Sequence, residues 1–219
     1  MLGVLTIVAV GLAGVAGCAG QEPTAAPPAP ATPTVLAKAP PLLSIAQHPS
    51  PAPDFALYNQ YGERVSLASL RGRPVLLTFL YTHCTTTCPL YVAWIHSALY
   101  SLGANTGEVS VVAVTVDPER DTVERLREYT TQAGWPPDWL FLTGPPEEVD
   151  RVLTSFRIAV SKREPPPEMK QMGHEGYEVA HRAVVILIDA EGYMFAVLRG
   201  TYWTPQELIT RLEPVLSGE

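Results

Sequence analysis

Cysteine is scarce. Three occur in 219 residues, too few for a disulfide scaffold. There is no run of Lys or Arg and the net charge is −7, which argues against nucleic acid as a partner. Hydrophobic residues reach 47%, enough for one domain of roughly 150 residues plus extensions. No internal repeat is visible.

What is present begins with a leader. Leu2 to Gly17 is uncharged and mostly apolar, the length of a signal-peptide core and short for a spanning helix. It ends Val15-Ala16-Gly17-Cys18, small residues running into a cysteine. This resembles the bacterial lipoprotein signal, in which the cysteine is lipidated and becomes the new N-terminus. No Lys or Arg precedes the run, a departure from that pattern, and an uncleaved N-terminal anchor is the alternative. Both readings place the protein outside the cytoplasm, on the outer face of a bacterial cytoplasmic membrane, where disulfides are permitted. Residues 19–53 then hold ten of the 22 prolines, mixed with Ala and Thr, and read as a solvated spacer. The expected division is therefore a signal over 1–18, a linker over 19–53 and a globular domain over 54–219. Leu42, Leu43 and Ile45 interrupt the linker and could dock on the domain edge.

Within the domain, Phe55 to Leu57 and Val65 to Leu67 flank a turn and predict a hairpin. Pro74 to Tyr81 is an apolar run of buried-strand character, and Leu90 to Leu102 has helical periodicity. Glu108 to Val116 is a valine-rich strand. A helix follows, with Asp121 as cap and Glu124 three residues on, ending near Gly134. A short strand at Trp139–Leu142 and a helix over Glu147–Phe156 come next. Ala183–Ile188 and Tyr193–Leu198 form a closing hairpin, and Thr204-Pro205-Gln206-Glu207 opens a C-terminal helix with a capping box. Strand–helix–strand crossovers give parallel pairing and the closing hairpin gives antiparallel pairing. The expected fold is α/β, a mixed central sheet with helices on both faces and an added N-terminal β-hairpin. That arrangement is similar to the thioredoxin fold.

Between the main strand and its helix stands Cys84-Thr85-Thr86-Thr87-Cys88-Pro89. Two thiols thus occupy a strand-to-helix turn, where the helix N-terminus favours thiolate over thiol. Two thiolates held close can exchange a disulfide or grip a soft metal. Tyr177-Glu178-Val179-Ala180-His181 leads into the penultimate strand. In the thioredoxin arrangement the loop there lies beside the dithiol and carries a proline; here it carries His181. An imidazole beside two thiolates favours metal, and the softness of sulfur selects Cu(I) or Zn(II). Structural zinc takes four protein ligands and only three are evident, so copper is the expected ion.

Three blocks now stand in order: Tyr81-Thr82-His83-Cys84-x-x-x-Cys88-Pro89, then Thr115-Val116-Asp117-Pro118-Glu119-Arg120-Asp121-Thr122, then His181 before the strand that ends Ile188-Asp189. Together they closely resemble the SCO/SenC family over roughly Pro53 to Leu216. The resemblance implies a membrane-tethered thioredoxin-fold protein that binds copper through Cys84, Cys88 and His181. It also implies a role in assembling the binuclear copper centre of cytochrome c oxidase, with the copper-centre subunit or another copper carrier as partner. The family usually has a proline after the first cysteine and an acidic residue in the loop; Thr85, Thr86 and Thr87 stand there instead. Oxidation to a Cys84–Cys88 disulfide would remove both soft ligands at once.

Other residues carry two readings each. His83 adjoins Cys84 but points the other way as a strand-end neighbour, which makes it a surface or supporting group rather than a ligand. Asp117 could orient a ligand or simply form a turn before Pro118. Met172 and His174 are copper-competent but lie in a polar, glycine-bearing segment that reads as a solvated loop. The two cysteines could be a structural disulfide, and His181 a satisfied loop histidine. Three function classes stay open: a copper metallochaperone, which is favoured and is not an enzyme; a thiol–disulfide reductase that reduces the target's copper-ligand cysteines; and a peroxidase of the same fold. The last lacks a Pro-x-x-x-Thr-x-x-Cys pattern around Cys84.

Overall fold

The computed structural model describes residues 44–103, 108–164, 167–171, 176–201 and 203–217. Its centre is a six-stranded mixed sheet of order β1-β10-β9-β4-β5-β6. The strands are β1 (Ser44–Pro51), β4 (Val75–Leu80), β5 (Ser110–Thr115), β6 (Leu140–Leu142), β9 (Val184–Ile188) and β10 (Tyr193–Arg199). β4, β5 and β6 are parallel, and β9 returns antiparallel against β4. Every residue of β4 and β5 is buried, so both faces of the sheet are covered, as parallel strands require. The helices that cover them are α1 (Thr87–Ser101), α2 (Val123–Gln132), α3 (Pro146–Ser155) and α5 (Pro205–Ser217), with a short α4 (Pro167–Gln171). α1 packs on α5, where Tyr91, Trp94 and Trp203 form edge-on and tilted ring contacts. This is the thioredoxin-like architecture expected from the element order. Among the described residues no helix is long and apolar enough to cross a membrane.

The expected hairpin is present as β2 (Ala56–Tyr58) and β3 (Arg64–Ser66), followed by a single 3-10 turn at Ala68–Leu70. The C-terminal capping box forms in both directions: Thr204 N–H donates to Glu207 Oε2 at 2.8 Å, and Glu207 N–H donates to Thr204 Oγ1 at 3.3 Å. Gly134 ends the segment after α2 at φ +63°, a conformation that favours glycine.

Three features depart from the sequence expectation. β1 lies inside the stretch read as linker and pairs with β10 from Ser44 to Pro51. Prolines are tolerated there because β1 is an edge strand with an irregular register. Thr122, not Asp121, caps α2, accepting from Arg125 N–H. Finally, His181 is not in a loop. It ends β8 (Glu178–His181), which pairs with β7 (Val160–Arg163) in a separate two-stranded ribbon. The signal over 1–18 with Cys18, the linker up to residue 43, and Met172 and His174 lie outside the described residues.

Candidate metal centre

β4 ends at Leu80 and the chain turns through Tyr81 to Thr86 into α1. Thr86 occupies the cap position but offers no side-chain bond to the helix. The first-turn N–H groups need another acceptor. Cys84 supplies it: Cys88 N–H donates to Cys84 Sγ at 3.3 Å. The sulfur is thereby held at the positive end of the helix by the chain's own turn.

The two thiols are free and differ sharply in setting. Cys84 is half-buried, while Cys88 is only 3% exposed on the first turn of α1. The Cys88 thiol donates to Cys84, and the backbone N–H groups of Cys88, Thr86 and Thr87 add to it, lowering the Cys84 pKa to about 5. The same hydrogen bond, together with burial, pushes the Cys88 thiol far up. The pair holds one proton between two sulfurs, with the charge on Cys84. Reactivity follows thiolate fraction. Alkylation of Cys84 in the reduced protein should therefore climb through pH 5 and level off above it, where an ordinary thiol climbs through about 8.5. A pH profile of iodoacetamide labelling, read residue by residue in the mass spectrometer, checks this; a midpoint near the ordinary value would mean that Cys84 does not carry the charge.

His181 faces the same space. A cavity of about 220 Å³ is lined by Cys84, Cys88 and His181, with Tyr81, Tyr91 and Val179 among its walls. The imidazole meets the Tyr81 ring edge-on, centroids 6.1 Å apart. Burial lowers the His181 pKa against an opposing contact with the Arg182 backbone, and the net direction favours the neutral ring. Its Nδ1 is shielded from solvent and has no hydrogen-bond partner among the described residues. An orphaned buried nitrogen on a neutral ring costs stability unless something binds it. A thiolate, a second thiol and this nitrogen are the donor set a soft metal ion requires. Among the described residues, no three His, Cys, Asp or Glu side chains are already gathered closely enough to hold an ion. The cavity brings the three candidates to one place without yet closing them on a common point.

The supporting residues divide differently from the sequence expectation. His83 does not simply point away from Cys84, since it lines the same cavity; its side chain is 40% exposed and its Nδ1 lies 3.1 Å from Thr82 Oγ1. Burial, reinforced by Arg120, lowers its pKa. Asp117 forms the turn foreseen for it, and its side chain reaches Tyr177 and Arg120 rather than a candidate ligand. Its carbonyl accepts from Arg120 and Asp121 N–H in a turn, and its buried carboxylate accepts from Tyr177 Oη at 2.7 Å and from Arg120. Asp121 is the residue whose role went unread. Fully buried, it accepts from Thr82 N–H at 3.1 Å, Thr82 Oγ1 at 2.6 Å and Thr115 Oγ1 at 2.6 Å. It thus ties the end of β4, at the threshold of the cysteine turn, to the end of β5. Burial raises its pKa against those bonds. A clue lay in the sequence: a second aspartate four residues after Asp117 in a segment that otherwise leaves a buried strand.

The family model described as SCO1/SenC matches residues 45–217. An Arabidopsis thaliana mitochondrial SCO1 homologue is 34% identical over 138 residues, 63% of this chain but only 39% of that relative. A copper-bound ScoI structure from Bradyrhizobium japonicum is 30% identical with a TM-score of 0.63, covering 76% of this chain and 99% of that one. The structure of BsSco is 27% identical with a TM-score of 0.60, covering 82% and 98%. It is described as having a disulfide switch and as one of the Sco family of cytochrome c oxidase assembly proteins.

Proposed function

Because this chain belongs to the SCO1/SenC family, we propose that it is an extracytoplasmic copper chaperone whose cargo is held by Cys84, Cys88 and His181. The observation that carries the reading is the shared cavity, in which a charged sulfur, its partner thiol and an unpartnered buried imidazole nitrogen all front one space. Copper-bound Sco relatives of the same fold support the choice of ion. Cys84 supplies a ready thiolate. Cys88 gives up its proton as the ion arrives, so capture releases a proton. His181, already neutral, needs no deprotonation. Capture further requires the ribbon carrying His181 and the cysteine turn to close up. We place the protein on the outer face of the cytoplasmic membrane, anchored by lipidated Cys18 and held off the bilayer by the proline-rich stretch that precedes β1. Its acceptor would be the copper-centre subunit of cytochrome c oxidase or another copper carrier.

One observation favours a second reading. A charged Cys84 beside a protonated Cys88 is also the order needed for disulfide exchange. Cys84 would attack a target disulfide, and Cys88 would resolve the mixed disulfide. The target would gain two thiols and this protein a Cys84–Cys88 disulfide. The two readings part in a side-by-side assay of the reduced protein. Copper-loaded protein should pass its ion efficiently to a dithiol acceptor peptide, and the copper-free form should reduce insulin slowly. Insulin reduction at thioredoxin-like rates, with copper transfer unaffected by His181→Ala, would put the reductase first.

A further inference from the structure

The strand that carries His181 belongs to no larger sheet. β7 and β8 pair only with each other, so backbone hydrogen bonds to the six-stranded sheet do not fix where the ribbon lies. Its position is set by Val179, buried in the core at the middle of β8, by the two-residue link from His181 to β9, and by side chains at the Tyr177 end. Tyr177, immediately before β8, donates from its hydroxyl to Asp117 Oδ1 at 2.7 Å. Asp117 is fully buried just beyond β5 and cannot move without disturbing the core. The Arg120 guanidinium, which also bonds Asp117, lies 3.8 Å from the Tyr177 ring centroid. From the other strand, Lys162 Nζ sits 4.8 Å from the same centroid and 2.6 Å from Glu119. Both strands of the ribbon are therefore fastened to the Asp117–Arg120 turn, and among the described residues Tyr177, at the entry to β8, is the side chain from this region that bonds the turn's buried acid.

We propose that Tyr177 is the positioning residue for His181. They are four positions apart, so Tyr177, at the entry to β8, stands in line with the face that carries His181, about 13 Å away along the strand. Without the Tyr177 bond the strand can tilt about buried Val179 and the short link to β9, which turns the imidazole relative to the two sulfurs. The hydroxyl also orders the ribbon against Arg120, whose contact with the ring is electrostatic and tolerates sliding. This inference rests on the reading of His181 as a copper ligand. It adds a residue that contacts no metal and that the donor set alone does not reveal.

The test is a double-mutant cycle in the full chain: wild type, Tyr177→Phe, His181→Ala and the double variant. Each is titrated with Cu(I) against a chromophoric chelator. Tyr177→Phe keeps the ring over Arg120 and deletes only the hydroxyl. It should weaken Cu(I) binding by about 10-fold, the lower range for residues that orient a metal ligand. In the His181→Ala background the same change should do nothing further. The thiolate-to-Cu(II) absorption band should shift in Tyr177→Phe and be unaltered by it once His181 is gone. Equal weakening in both backgrounds would make Tyr177 merely structural and overturn the proposal, as would wild-type affinity in Tyr177→Phe. If His181→Ala alone bound copper normally, the ligand assignment itself would fall and this proposal with it. Thermal unfolding of each variant accompanies the titrations, and Tyr177→Leu gives a second arm in which the ring contact is also lost and a larger weakening is expected.

Discussion

Cys88→Ser should all but abolish copper capture while leaving Cys84 reactive. The exchange replaces a soft sulfur with a hard hydroxyl of similar shape at a position 3% exposed on the first turn of α1. The fold should survive, because Ser fits the space and its hydroxyl can still donate to Cys84. That bond is the largest influence holding the Cys84 pKa low. The Cys84 alkylation profile should therefore stay shifted to low pH. Cu(I) affinity should fall by at least ~1000-fold, about 4 kcal/mol, since two-coordinate capture by one sulfur and one imidazole forfeits a thiolate. His181→Ala should cost less, about 10- to 100-fold, because both sulfurs remain. Competition with a chromophoric chelator gives the three affinities on one scale. The ranking is the point of the experiment. A Cys88→Ser protein that bound Cu(I) like wild type would remove Cys88 from the ligand set. A His181→Ala protein weaker than Cys88→Ser would mean the imidazole, not the dithiol, dominates.

The cysteine half of the site is legible in the sequence because its parts are local, whereas His181, far along the chain, is reached only through likeness to the thioredoxin fold. The strand Val75–Leu80, the cysteine turn and the start of α1 are contiguous, and the apolar pattern marks each boundary. The Thr204–Glu207 capping box is likewise a four-residue device. What escaped the sequence depends on partners far along the chain. β1 contains Pro49 and Pro51 and looks like spacer until β10 is there to pair with it. β7 is almost wholly exposed, with Ser161, Lys162 and Arg163, so it has no inward face to betray a strand. The ribbon exists because Val160 pairs with His181 and Arg163 with Glu178 across a connection that no periodicity predicts. Tyr177 reads as one more aromatic near a histidine. Only the fold shows its hydroxyl reaching Asp117, sixty positions away.

Asp121→Ala should be the most destabilising single change near the site, and the reason is the number of donors left behind. Thr82 N–H, Thr82 Oγ1 and Thr115 Oγ1 all donate to this carboxylate, and both threonines are buried. Removing the acceptor strands up to three donors in the interior at about 1–3 kcal/mol each. Relaxation of the hydroxyls recovers part of that: Thr82 Oγ1 can turn toward His83 Nδ1, 3.1 Å away. A net loss of about 3–5 kcal/mol follows, a large share of the 5–15 kcal/mol typical of a domain. Asp121→Asn should cost less, because one amide oxygen still accepts and burial no longer penalises a charge. The carboxyl's pKa is raised by burial, so its charged form is the strained one in the folded state. The sign matters for the pH dependence. A carboxyl raised above its unfolded value favours folding at low pH, and that contribution is lost as pH rises through the folded pKa. The stability gap between wild type and Asp121→Asn should therefore narrow as pH increases through the carboxylate range. Urea unfolding at several pH values measures both quantities. A loss below about 1 kcal/mol in Asp121→Ala would mean the two threonines find other partners. The end of β4 would then owe its position to its pairing with β5, and Cys84 its aim to the helix N-terminus.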